Sequence, residues 1–285
     1  MLIDNFSQFL GAVLVCPISK EPMTRLGDDF HAPAGFVYKN GDLRVGLEFN
    51  RDWANGQRAF ERWQQRRLSG KGAEYFAAID AETVDVYEAI RLHGKVLDVG
   101  GGLGTAAAQA GIDKQSYISI DAFPLLWRDM LVYRGVTSHY AQCADLCRVP
   151  AHAEFLPIAS GTMDFVHMRS CLDHFANPTL ALREAYRVLG KNGHVVVGIS
   201  LEGAYKKENK TSYEKFKAFV KRNGVTREIY ERLFDHHQFH PTHESVKALL
   251  TQAGFLITKE HWACAYHGVL YVSARKMGKA TCTQS

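Results

Sequence analysis

Beyond residue 94 the apolar positions gather into short runs, at 95–99, 117–120, 138–141, 163–168 and 194–200, separated mostly by helical stretches. Runs this short and this largely apolar predict strands covered on both faces. Between and after them the spacing changes. Leu182, Ala185, Tyr186 and Leu189 fall at i, i+3, i+4 and i+7, which predicts a helix with one apolar stripe on the sheet while Arg183, Glu184 and Arg187 face water. Val246, Leu249, Leu250 and Ala253 repeat the spacing, with Thr242 as N-cap and Gly254 as the C-terminal stop. Two β-rich runs, 255–263 and 269–274, close the chain across a link too short for a parallel crossover, so they pair antiparallel. The expected fold is α/β: a doubly wound, mostly parallel, seven-stranded Rossmann-like sheet ending in an antiparallel hairpin.

Upstream of that pattern, residues 13–50 are punctuated by Pro17, Pro22, Gly27, Pro33, Gly35, Gly41 and Gly46 and read as short strands and turns, a small β appendage. Helical character follows at 57–68, with Phe60, Trp63 and Leu68 among arginines, and again at 82–92. The expected division is a small β segment over 1–55 and the main domain over 56–285.

No apolar run approaches the ~20 residues of a membrane-spanning helix. Asp4, with no basic residue before the first apolar stretch, is the wrong polarity for a secretory signal, so the expected compartment is the cytoplasm. The six cysteines form no C-x-x-C pair and read as reduced, buried thiols, with no metal site expected. A net charge of +4 is too weak to imply nucleic acid. Only the stretch 206–222, with Lys206, Lys207, Lys210, Lys215, Lys217, Lys221 and Arg222, is strongly basic. It reads either as a solvated helix face or as a cover over an anionic acceptor.

The chemistry concentrates where the strand Val96, Leu97, Asp98, Val99 runs into Gly100, Gly101, Gly102, Leu103, Gly104 and Thr105, followed by a predicted helix at 106–110. Such a turn brings bare backbone and its amide donors close to a ligand. The glycines alone are ambiguous, because Gly102, Gly104 and Ala107 also satisfy a relaxed dinucleotide pattern. Asp98 separates the readings: its charge opposes a pyrophosphate and favours a cationic ligand. Asp121, ending the next strand, is placed to accept ribose hydroxyls.

On these residues the sequence resembles the class I S-adenosylmethionine-dependent methyltransferases, of the type 11-like kind, over roughly residues 95–255. The family pattern D-x-G-x-G-x-G matches Asp98, Gly100, Gly102 and Gly104, and its acid after the second strand matches Asp121. The segment that flanks adenine matches Ala153, Glu154, Leu156 and Pro157. Met163, Asp164, Phe165, Val166 and then Leu172, Asp173, His174 are similar to the fourth strand and its following turn. The stretch from Arg183 to Gly193 is similar to the R-x-L-K-P-G-G block, with Gly190, Lys191 and Asn192 as departures. The resemblance implies S-adenosyl-L-methionine as cofactor, held by Asp98, Gly100, Gly101, Gly102, Gly104, Asp121, Ala122, Ala153, Glu154 and Arg169. Residues 14–23 resemble a small Trm112-like β domain whose relatives hold zinc with C-P-x-C; Ser19 stands in place of the second cysteine, so a metal-free module is expected.

Transfer from a sulfonium needs orientation more than acid catalysis, and needs a base only where the nucleophile must lose a proton. Asp173 and His174, just past the fourth strand, and His237, in the histidine-rich loop 236–243, are the catalytic candidates. The leading expectation is methylation of a hydroxyl on a small-molecule acceptor, a saccharide or secondary metabolite. RNA or protein methylation and a non-catalytic S-adenosylmethionine-binding protein stand as alternatives.

Overall fold

The computed structural model describes residues 3, 5–46, 53, 54, 58, 81, 83, 85–123, 142–201, 237–263 and 268–278. Seven strands form one sheet: β4 (Val96–Val99), β5 (Tyr117–Asp121), β6 (Cys147–Pro150), β7 (Met163–Arg169), β8 (Leu189–Ser200), β9 (Phe255–Trp262) and β10 (Val269–Lys276), in the order β6-β5-β4-β7-β8-β10-β9. The first five run parallel, while β10 pairs antiparallel with both β8 and β9. From β4 the chain winds outward through β5 and β6, then returns to the other side of β4 as β7. The strand order therefore reverses between β4 and β7, and open α/β sheets bind ligands in the crevice at that reversal. All four residues of β4 are buried, as two-faced coverage requires.

Among the described residues, five α-helices accompany the strands. They are α1 (Gln8–Val13), α2 (Val86–Ala89), α3 (Thr105–Gln109), α4 (Pro178–Val188) and α5 (His243–Gln252). The α5 N-terminus is capped as the sequence implied. Thr242 accepts from the Ser245 N–H at 3.1 Å and the Ser245 hydroxyl accepts from the Thr242 N–H at 2.8 Å. Helix α4 starts at the Asn177 cap and buries Ala181, Leu182, Ala185 and Val188, but Leu189 has already turned extended (ψ 136°) and opens β8.

One strand was not expected and one side chain was placed on the wrong side. The parallel strand beyond β5 is Cys147–Pro150, and the run expected at 138–141 lies outside the described residues. A buried Arg148 in the middle of β6 disguised it; its guanidinium donates to the carbonyls of Leu103 and Cys143. Glu184, expected to face water, is buried, because the N-terminal segment lies over that side of α4. The helical run at 57–68, the boundary at 55/56 and the basic stretch 206–222 fall outside the described residues.

That N-terminal segment carries α1 and a three-stranded antiparallel sheet, β1 (Thr24–Leu26), β2 (Asp29–His31) and β3 (Val37–Tyr38). Its Leu10, Val13, Leu14, Cys16 and Phe30 join the same apolar core as Leu156 and Ile158. Backbone bonds tie it down: Val15 N–H to Pro157 O at 3.0 Å, Ala159 N–H to Val13 O at 2.8 Å and Leu43 N–H to Pro150 O at 3.1 Å. Lys20 Nζ meets Glu184 Oε2 at 2.7 Å and also donates to Leu156 O, while Arg187 forks onto the same carboxylate at 2.7 and 2.8 Å.

Burial pushes the Glu184 carboxyl up, but the hydrogen bonds and charges of Arg187 and Lys20 outweigh it and hold the group below its ordinary value. A depressed carboxyl contributes stability above the ordinary carboxylate range and loses it as pH falls through the depressed value. Glu184→Gln is expected to lower unfolding free energy by about 1–3 kcal/mol at neutral pH, with the deficit narrowing in acid. Denaturant titrations of both proteins across pH measure this, and a deficit indifferent to pH would contradict the ionic role.

Candidate active site at the β4–β7 crevice

A buried carboxylate lies under the glycine turn. Asp98 faces His167 across the β4–β7 ladder and is 3% exposed. Its Oδ1 lies 2.8 Å from His167 Nδ1, and its Oδ2 accepts from the Tyr117 hydroxyl. His167 Nε2 in turn lies 3.2 Å from the Tyr87 hydroxyl. Burial first, then the Asp98 charge, push the Tyr117 phenol well above its ordinary value, so it stays protonated and donates.

The turn is pressed onto this group. A Cβ on Gly101 would sit 2.7 Å from the Asp98 carboxylate and 2.6 Å from Ser119 Oγ. Gly100 adopts φ 68°, and a Cβ there would sit 2.7 Å from the Cβ of Cys171 in the loop after β7. The two loops at the crevice are thus in direct contact, and the Cys171 thiol donates to Val99 O at 3.2 Å. Asp98 itself lies buried beneath the turn.

Around the turn stand groups of opposite sign. Asp121, at the end of β5 and half-buried, accepts from Gly102 N–H at 3.2 Å and Phe123 N–H at 2.8 Å. Ala122 follows it, its carbonyl accepting from Arg44 Nη1 at 3.3 Å. Arg169, at the end of β7, donates to Thr105 Oγ1 at 2.7 Å and Gln109 Oε1 at 3.0 Å, which sets its guanidinium at the first turn of α3. Gly104 caps that helix. Ala153 and Glu154 are buried after β6. Glu154 accepts from Asn177 N–H at 3.0 Å at the start of α4, and burial pushes its carboxyl up.

On the β7 side, the short turn Leu172–His174 carries Asp173 and His174, and the loop before α5 brings His237 against them. Asp173 Oδ2 lies 3.5 Å from His237 Nε2, and the His174 and His237 rings are tilted at 34° with centroids 4.7 Å apart. Gln238 N–H donates to Asp173 O at 2.7 Å, fixing one loop to the other. Asp173 is buried, and its Oδ1 has no hydrogen-bond partner among the described residues. Of the histidine-rich loop, His236 lies outside the described residues and His240 has its ring 6.2 Å from that of His237. His243 is drawn away to Glu260 at 2.7 Å.

Sequence reasoning passed over several residues at this edge. His167 had a signal, an imidazole between Val166 and Met168 in a strand that must be buried on both faces. Tyr117, Tyr87, His152 and Trp53 had none, because their roles depend on contacts between distant segments. Trp53 Nε1 donates to His174 O at 2.9 Å, its ring meets His152 edge-on at 5.5 Å, and Val45 N–H donates to His152 Nδ1 at 3.2 Å.

A family model described as "Methyltransferase domain" matches residues 60–260. Among curated proteins, the ubiquinone/menaquinone biosynthesis C-methyltransferase UbiE of Cellvibrio japonicus is 26% identical over 185 residues, 60% of this chain and 71% of its own length. Its counterpart in Stenotrophomonas maltophilia is 30% identical over 173 residues, 56% of this chain and 65% of its own length. This chain thus spans about two thirds of the curated relatives it matches. Among solved structures, a S-adenosylmethionine-dependent methyltransferase of Thermotoga maritima aligns at TM-score 0.50 and 17% identity, covering 79% of this chain and all of that one. The Burkholderia thailandensis 1,6-didemethyltoxoflavin-N1-methyltransferase, solved with S-adenosylhomocysteine, aligns at TM-score 0.50 and 13% identity, covering 90% of this chain and 99% of its own.

Removing one donor from a buried carboxylate leaves an unmatched oxygen. Tyr117→Phe is expected to cost about 1–3 kcal/mol of stability and to loosen the turn. Equilibrium unfolding measures the first, and hydrogen exchange of the Gly100 and Gly101 amides, which donate to Ile120 O, measures the second. Unchanged exchange there would show that the carboxylate does not set the turn.

Proposed function

The chain belongs to the methyltransferase-domain family, and we propose that it carries a methyl group from S-adenosylmethionine to a hydroxyl of a small molecule, a saccharide or secondary metabolite, seated over Asp173, His174 and His237. The observation that carries the acceptor side is the buried Asp173 Oδ1, an acceptor with no partner among the described residues, in the loop that packs on the glycine turn.

The donor side suits a zwitterionic nucleoside. Asp121 offers a carboxylate to a ribose diol, and Arg169 at the α3 N-terminus offers charge to an amino-acid carboxylate. Asp98 contributes a negative field from beneath the turn, favouring a cation above it. S-Adenosylmethionine supplies an electrophilic methyl group on a positively charged sulfur. The residues of this chain hold the two reactants in line, exclude water through the contact of the two loops, and receive the acceptor's proton at the Asp173–His237 pair.

An anionic acceptor would draw on the basic stretch 206–222. The likeness to C-methyltransferases makes a ring carbon the alternative acceptor atom. Assays with labelled methyl donor against saccharides, phenols, quinols and RNA, with the product's methylated atom located by NMR, decide the class. Transfer to RNA alone would overturn the small-molecule reading.

Asp121→Ala is expected to weaken S-adenosylhomocysteine binding by about 1–3 kcal/mol in calorimetry, and unchanged affinity would remove Asp121 from the donor site. Asp173→Asn is expected to lower transfer by roughly 100-fold or more while S-adenosylhomocysteine affinity stays close to the parent value. Full activity in that variant would overturn the acceptor site.

A further inference from the structure

We propose that Asp173, His174 and His237 hold one divalent first-row transition cation, an inference that rests on reading the same cluster as the acceptor site. One carboxylate oxygen and one nitrogen from each imidazole lie within 4.8 Å of one another. A cation at ~2.0–2.2 Å from each donor needs donors about 3–4 Å apart. The Asp173 Oδ2 to His237 Nε2 separation, 3.5 Å, already meets that. Bringing donors that lie within 4.8 Å of one another to about 4 Å takes a shift of about 0.8 Å at most, and the His237 side chain, 44% exposed, is the least confined of the three.

The backbone is set for such a site. Asp173 and His174 share one turn, closed by His174 N–H to Cys171 O at 2.9 Å, and the Gln238 N–H bond to Asp173 O brings the His237 loop to them. Trp53 anchors the His174 carbonyl from the other side. The independent sign of a missing ligand is Asp173 itself. It is more than nine-tenths buried, yet Oδ1 has no partner among the described residues, and the contact of Oδ2 with His237 is long for a hydrogen bond. Burying a carboxylate with one oxygen unmatched is costly unless a cation meets it.

Donor chemistry selects the ion. Two imidazole nitrogens with one carboxylate suit zinc, iron(II), cobalt(II) or manganese(II) better than magnesium or calcium, which prefer all-oxygen shells. Three protein ligands, one of them half-exposed, leave coordination positions open, as in catalytic rather than structural sites. The chemistry follows. A cation there lowers the pKa of a coordinated acceptor hydroxyl. With the cation bound, Asp173 and His237 act as its ligands instead of receiving the proton, which passes to solvent; the oxygen–methyl bond forms as the methyl–sulfur bond breaks, and S-adenosylhomocysteine and the methyl ether leave.

The test uses the full chain stripped by chelator and titrated with cobalt(II), read by visible absorption, and with zinc, read by competition against a metal indicator dye. The expected result is one saturable equivalent, with affinity reduced roughly 100-fold or more in Asp173→Asn and in His237→Ala and unchanged in His243→Ala. S-Adenosylhomocysteine binding retained in each variant shows that it is folded. Absence of saturable binding, or binding indifferent to Asp173→Asn and His237→Ala, overturns the cation site. Transfer that survives chelation but falls in Asp173→Asn overturns the cation and leaves the acceptor reading standing. Loss of metal binding with transfer intact in Asp173→Asn overturns the acceptor reading and leaves the cation site.

Discussion

A carboxylate carried into the interior at the end of a sheet strand has to be matched by donors, and the arrangement at Asp98 follows from that requirement. Tyr117 on β5 and His167 on β7 reach it from the two neighbouring strands, so the group ties three strands together where the order of the sheet reverses. The space directly above it admits no side chain at Gly101, which is why the chain crosses there as bare backbone. Fixing the charge fixes the turn, and fixing the turn sets Asp121 and Arg169 around it.

The same reversal puts the second site beside the first. Loops after β4 and after β7 emerge on one edge with no strand between them, and Gly100 against Cys171 leaves no room for a side chain at their contact. Two residues beyond that contact stands Asp173. On the proposed function, a donor on the first loop and an acceptor on the second would share one crevice, which is the geometric requirement for a direct displacement. Trp53, which precedes the main sheet, donates to the His174 carbonyl and meets the His152 ring edge-on, so a segment before that sheet also shapes the site.

How much of this was legible depended on how local its cause was. Helix α5 was readable to its cap because Thr242 and Ser245 lie within one turn, and the terminal hairpin because a short link permits one pairing only. The glycine turn was readable because its backbone demands are local. Strand β6 was missed because Arg148, an exposed residue by type, is satisfied by carbonyls from the neighbouring loops. Glu184 was misassigned to solvent because its cover, Lys20, comes from 164 residues away. The meeting of Asp173 with His237 was beyond any spacing rule, since two separate motifs converge only in the folded chain.

The account stands on the donor and acceptor groups facing one another across the β4–β7 crevice. A crystal structure of the full chain with S-adenosylhomocysteine tests this most directly. It should show the ribose hydroxyls on Asp121, the amino-acid carboxylate toward Arg169, and the sulfur pointing to Asp173 and His237 with room for one acceptor between. A sulfur directed away from that cluster, or protein filling the space between them, would contradict it.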